Sequence, residues 1–300
     1  MRARSFFMLA TALFGVFLAG CLESDEQFTI NPDGHGKVAI EATIASMASL
    51  LSQDSDAKKD RGEEVREFVK DMLANSEGID AWKDITCKAV GDDKILFRGT
   101  AYFSDLNALN IHGISSGSAF VREVAADGSW VIRLKEAAED EEEEQAEQVG
   151  DLSEEEIATR IDSLRADYEM GRAMMGPILE GIRQRYVFML PGSATASASF
   201  GRTAKGGYET VISGSRILAA LDSMAGSDDF WRQQVISGKN SSADRQKEAA
   251  MMIFGTAGPP TVKVSGGKPL FDYDAEVKAA RKKYAAMLKP FGLKPGDIES

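Results

Sequence analysis

An α+β fold, with a mostly antiparallel sheet, a long helix packed on it and additional C-terminal helices, is what this 300-residue sequence predicts. Three features carry the prediction. Alternating apolar stretches are separated by short Gly/Asp turns, a long apolar-periodic run follows residue 153, and further helical periods close the chain. Short connections favour antiparallel pairing, because a parallel pair needs a long crossover.

Phe28-Thr29-Ile30, Asn31-Pro32-Asp33-Gly34 and the alternating run Lys37 to Ile44 read as a β-hairpin. Proline presets the second turn position and glycine tolerates the conformation that closes the turn. Asp60-x-x-Glu63 resembles a capping box, and Val65, Phe68, Val69, Met72 and Leu73 then share one helix face that ends near Gly78. Residues 84–90, 95–103, 119–124 and 130–134 read as four more strands, turned at Gly91-Asp92-Asp93 and Asp127-Gly128. Glu139 to Glu147 is almost wholly acidic and reads as a solvated linker or loop. Its acids lack the alternating oxygen ligands and fixed glycine of a calcium-binding EF-hand. Ser153-x-x-Glu156 caps the next helix, whose seam is Ile157, Ile161, Leu164, Tyr168, Gly171 and Met175. So short a seam is expected to pack on the sheet rather than form a coiled coil, and Gly176-Pro177 to kink or restart the helix. Strand character returns at 186–190, 195–200 and 208–212, and helices are expected at 217–224, 245–254 and 277–288. The expected organisation is a signal segment at 1–20, a hairpin–helix–sheet part at 21–135, an acidic linker at 136–152, the long helix and remaining strands of the same domain at 153–225, and a helical extension at 226–300.

The first twenty residues point to a compartment. Arg2 and Arg4 precede an uncharged run from Ser5, and small residues precede Cys21, the layout of a secretory signal. Leu18-Ala19-Gly20-Cys21 resembles the bacterial lipobox. That resemblance implies cleavage between Gly20 and Cys21, diacylglycerol on the Cys21 sulfur and acylation, such as by palmitate, of the new amine. A spanning anchor is the rival reading. Ser5 to Leu22 is barely long enough to span, and a spanning helix has no need of a small-small-Cys ending. With Cys21 lipidated, Cys87 has no intramolecular partner and reads as a buried, inert thiol. By the sorting habit of such lipoproteins, Leu22 after the cysteine implies the outer membrane rather than the inner.

No apolar run after residue 22 is long enough to cross a bilayer. The whole chain carries −12, hence −14 once Arg2 and Arg4 are removed. Such a balance lacks the basic footprint of nucleic-acid binding and is repelled by anionic headgroups, leaving the lipid as the tether.

A second resemblance rests on order. The lipid cysteine, a strand, Asn31-Pro32-Asp33-Gly34, a helix, Ala101-Tyr102-Phe103-Ser104-Asp105-Leu106 and Leu190-Pro191-Gly192 occur in the sequence that is similar to LppM-type envelope lipoproteins. It covers residues 21–225 and departs from the simplest pattern in the acidic insertion. What it implies is a sheet gripping a helix around an apolar ligand; no catalytic residue comes with it.

Catalytic motifs fail their contexts. Gly113-Ile114-Ser115-Ser116-Gly117 fits G-x-S-x-G, but a strand follows where a helix is needed, and both His35 and His112 precede it. Gly34-x-Gly36-x-x-Ala39 opens a strand rather than the helix of a dinucleotide loop. Ser55-x-x-Lys58 and Ser265-x-x-Lys268 lack the partner motifs of penicillin-binding enzymes. Two histidines 77 residues apart and one thiol make no zinc cluster. The expectation is therefore a membrane-anchored envelope lipoprotein with a binding or interaction domain, without cofactor or metal, partnered by the membrane and by an envelope protein or lipid ligand. The alternatives are a carrier with an apolar cavity between sheet and helix, and a hydrolase with dispersed carboxylates.

Overall fold

The computed structural model describes residues 21–45, 61–91, 94–114, 120–134, 152–237, 250–256, 258 and 260–298; the side chains of Cys21 and Leu22 are not among the described features. The architecture is α+β, with a mostly antiparallel seven-stranded sheet, a long helix and C-terminal helices. The chain forms two compact units. The larger comprises residues 17–135, 183–211 and 260–300; the smaller is built mainly from two insertions, 136–182 and 212–259.

In the larger unit, strands β1 (Cys21–Ile30) and β2 (Gly36–Ala45) form the expected hairpin. Its turn closes through Gly34 N to Asn31 O at 3.0 Å and Asn31 N to His35 O at 2.8 Å. Gly34 has φ +98°, where glycine carries no Cβ penalty. Strands β3 (Ala81–Val90) and β4 (Lys94–Phe103) follow helix α1 (Arg61–Asn75), with β2, β4 and β3 paired antiparallel. β3 starts three residues earlier than its alternation predicts, because a register shift between Lys83 and Thr86, with Asp84 at φ 55°, breaks the period. β5 (Phe120–Val124), β6 (Trp130–Leu134), β8 (Ser193–Ala196) and β11 (Thr261–Ser265) make a second sheet in the order β5-β6-β11-β8. β7 (Arg183–Met189), β9 (Gly201–Arg202) and β10 (Tyr208–Ser213) complete the first, in the order β3-β4-β2-β1-β7-β10-β9.

Alternation sets the faces. Val38, Ile40, Ala42 and Ile44 of β2 are buried in phase with Phe28 and Ile30 of β1. Phe28 stacks on Phe188 with ring centroids 5.1 Å apart, and Phe188 meets the edge of Phe120 at 5.0 Å. Phe120 belongs to β5, so this aromatic cluster joins the two sheets. α1 lays Val69, Met72 and Leu73 inward, and Phe68 meets Phe97 of β4 at 6.3 Å. On the other face, helix α5 (Tyr273–Leu288) packs Val277 and Ala280 against Ala81 and Tyr102.

In the smaller unit, helix α2 (Glu154–Glu180) begins with the predicted capping box: Ser153 N donates to Glu156 Oε2 at 2.9 Å, and Glu156 N to Ser153 Oγ at 3.3 Å. Helices α3 (Gly214–Ala225) and α4 (Asp228–Ser237) are its packing partners within that unit. Tyr168 meets Trp231 edge-on at 6.0 Å. Gly214 sits where a Cβ would come within 1.6 Å of Leu179 O, and its N–H donates to Ile182 O at 2.9 Å.

Several expectations need correction. Pro177 does not restart α2, which runs on to Glu180; the proline sits in the last turn, where little helix remains to disrupt. Ile161 and Leu164 are half-buried, because α2 faces two short helices and keeps a wide exposed surface. Residues 226–300 are not wholly helical: Thr261-Val262-Lys263-Val264-Ser265 forms β11, burying both valines between β6 and β8. Residues 153–225 divide between the two units: 183–211 lie in the larger with 21–135, whereas α2 and α3 lie in the smaller. Asp60, Gly20 and the acidic run Glu139 to Glu147 lie outside the described residues.

Candidate functional site

Cys21 is the first residue of β1, its backbone opposite Ile44 of β2. From Glu23 onward β1 is flanked on both sides, by β2 antiparallel and by β7 parallel. At most two residues therefore separate the predicted acylation point from a strand inside the larger sheet. Gly20, the other half of the predicted cleavage pair, lies outside the described residues.

The same strand carries polar groups inward. The parallel register sets Ser24 opposite Gln184 and Glu26 opposite Tyr186. All four are at most 2% exposed. Ser24 Oγ donates to Glu26 Oε1 at 3.3 Å, and the Tyr186 hydroxyl donates to Gln184 Oε1 at 3.0 Å. Buried polar side chains in such a place are costly unless hydrogen-bonded, and each of these bonds joins residues two apart on one strand. Sequence reading missed this stretch because Glu23 to Gln27 is polar in both phases of the alternation.

A third cluster fastens α5 to the sheet. Lys37 Nζ donates to both Glu276 carboxylate oxygens, at 2.9 and 2.7 Å, and the Tyr102 hydroxyl donates to Glu276 Oε2 at 2.7 Å. Burial opposes ionisation of Glu276, but the Lys37 and Tyr102 hydrogen bonds outweigh it and hold the carboxyl below its ordinary value. Burial first, and then the hydrogen bond to Glu276, push the Tyr102 phenol well up. Tyr273 is pushed up likewise, by burial and by its hydrogen bond to Asp80. His35 stacks on Tyr273 at 4.5 Å and pairs with Asp33 at 3.0 Å. Asn31, 2% exposed, accepts from Leu270 N at 2.8 Å and donates to Phe271 O at 3.1 Å. At neutral pH the Glu276 carboxylate stays ionised and both phenols stay protonated. That arrangement holds an element in place and is not poised for proton transfer.

The remaining sequence candidates scatter. His112 pairs with Asp71 at 3.0 Å, far along the chain from His35. Ser115 to Gly117 and Ser55 to Lys58 lie outside the described residues, and Ser265 ends β11. Gly36 to Ala39 lie in β2, as the hairpin reading requires. Cys87 is half-buried, and desolvation pushes its thiol up to about 12, which suppresses the reactive thiolate. Among the described residues no group of three His, Cys, Asp or Glu side chains is placed to hold a metal. Nor is any described helix long and apolar enough to cross a membrane.

Two depressions mark the larger unit, both open to solvent. One, of about 640 Å³, is lined by Arg61, Arg66, Lys88, Glu63, Val65 and Phe291 among others; the second lies along Asp274 to Lys282 on α5. In the smaller unit Met170, Met174 and Ile178 recur every four residues along α2 and are 61, 69 and 37% exposed. No protein-family model matches the chain, and no curated protein or solved structure matches it either.

Proposed function

We propose that this chain is a cell-envelope lipoprotein, held to a membrane by acyl groups on Cys21, whose folded part is a binding or interaction module. The observation that carries the reading is Leu18-Ala19-Gly20-Cys21 at the end of an uncharged run, with a sheet strand beginning at the cysteine. A cleavage point set just before the first strand would release the fold without trimming it. Several acyl chains anchor firmly where a single one binds reversibly. The interaction part is supported by the exposed Met170, Met174 and Ile178 and by polar clusters whose contacts are structural. Leu22 after the cysteine favours the outer membrane, facing the periplasm.

Metabolic labelling with a fatty-acid analogue tests the anchor. Label is expected on the wild type and none on Cys21→Ser, with the substituted protein lost from the membrane fraction. Label retained by Cys21→Ser defeats the reading. Recovery of the wild type in the inner-membrane fraction defeats the sorting assignment.

A further inference from the structure

We infer that the end of the larger sheet where β1 begins lies against the anionic headgroups of the bilayer that holds the anchor. The inference rests on Cys21 being acylated and adds an orientation and a contact surface to it. Its basis is the spacer length. β1 is paired from Cys21, so the acyl-bearing residue cannot drift far from the sheet as a residue on a long linker would.

Register then dictates what comes to the membrane with it. Cys21 pairs with Ile44, Ile44 with Ile95, and Ile95 with Ala89, a row crossing β1, β2, β4 and β3. Neighbouring strands stand about 4.8 Å apart, so the row spans only about 14 Å. At its far end lies the 640 Å³ depression beside Cys87, Lys88 and Ala89. Its charged lining is Arg61, Arg66 and Lys88 against Glu63, and Val65 and Phe291 supply apolar walls. Arg61 also donates to Gly91 O at 3.2 Å and Lys94 O at 2.9 Å, tying the start of α1 to the β3–β4 turn. Val90, in that turn's strand, is 41% exposed.

Charge decides the occupant. A chain at −14 beyond residue 20 is repelled by anionic lipid as a whole, yet the depression sets Arg66 and Lys88 against Glu63, its Arg61 being paired with Glu64 at 2.8 Å. Basic side chains close to an anionic surface are drawn to it within a Debye length. A phospholipid headgroup offers the phosphate that Arg66 and Lys88 suit, and glycerol and acyl carbons for Val65 and Phe291.

The test uses the full, lipidated protein in vesicles of phosphatidylethanolamine and phosphatidylglycerol. A fluorophore is attached at Val90→Cys or, beyond the opposite end of β1, at the exposed turn residue Asp33→Cys; the protein with only Cys87 is the labelling control. Headgroup-quencher lipids are expected to remove most of the fluorescence at position 90 and little at position 33. Arg66→Glu with Lys88→Glu should restore most of the fluorescence at 90 while the protein still floats with the vesicles. Protein that floats with the vesicles but is quenched equally at both positions overturns the docking and leaves the anchor standing. Protein that takes up no fatty acid and stays in the supernatant overturns both. Quenching at 90 unchanged by the double charge reversal overturns the headgroup contact.

Discussion

Replacing Phe188 by alanine probes whether the aromatic cluster between the two sheets is the main cohesive element of the larger unit. Phe188 is 0% exposed, stacked on Phe28 at 5.1 Å and edge-on to Phe120 at 5.0 Å and Phe200 at 5.9 Å. Truncating a buried phenylalanine costs about 3–5 kcal/mol, and an aromatic pair adds about 0.5–1.5 kcal/mol beyond burial. Three ring partners place Phe188→Ala toward the upper end, about 4–5 kcal/mol. For a domain stabilised by about 5–15 kcal/mol, that is a large share. Urea denaturation with a slope of about 2 kcal/mol/M should then show the midpoint falling by about 2 M. The protein is taken without the acyl anchor, as Cys21→Ser, and with Trp231→Phe, so that fluorescence reports only Trp82 and Trp130 of the larger unit. A fall under about 0.5 M at unchanged slope would refute the reasoning. It would mean that the sheets cohere elsewhere.

The α5 fastening should show in acid and in base. Because the Glu276 carboxyl is held below its ordinary 4.5, its stabilisation is present above that pH and is lost as pH falls through the lower folded value. Glu276→Gln should therefore flatten the acid limb of stability against pH, read by urea midpoints. The Tyr102 phenol is raised, so its contribution is present below its ordinary 10.0 and is lost as pH climbs above it; Tyr102→Phe should flatten that limb. Losing the Ser153 cap should cost about 1 kcal/mol through Ser153→Ala, read as a lower midpoint of the helical circular dichroism signal.

What the sequence determined by itself is local. Asn31 to Gly34 closes a hairpin because proline, aspartate and glycine each suit their turn position, and the observed bonds lie within five residues. Ser153 and Glu156 cap α2 because both bonds of the box join residues three apart. The inward phase of β2 was legible because apolar and polar residues alternate there. Where alternation fails, tertiary structure decided. β1 extends to Cys21 through a stretch polar in both phases, held by β2 on one side and by β7, about 160 residues away, on the other. β11 carries its signal in five residues, too few to outweigh the surrounding helical periods, and gains its identity from β6 and β8. α4 was likewise passed over; Asp228-Asp229 open it, and only the burial of Phe230, Trp231 and Val235 reveals its inner face. Lys37 and Glu276 stand 239 residues apart, and nothing in either neighbourhood anticipates their meeting. Short-range sterics and hydrogen bonds act on sequence neighbours and so can be read there. Pairing across the fold is selected by which surfaces can leave water together, a property no single segment possesses.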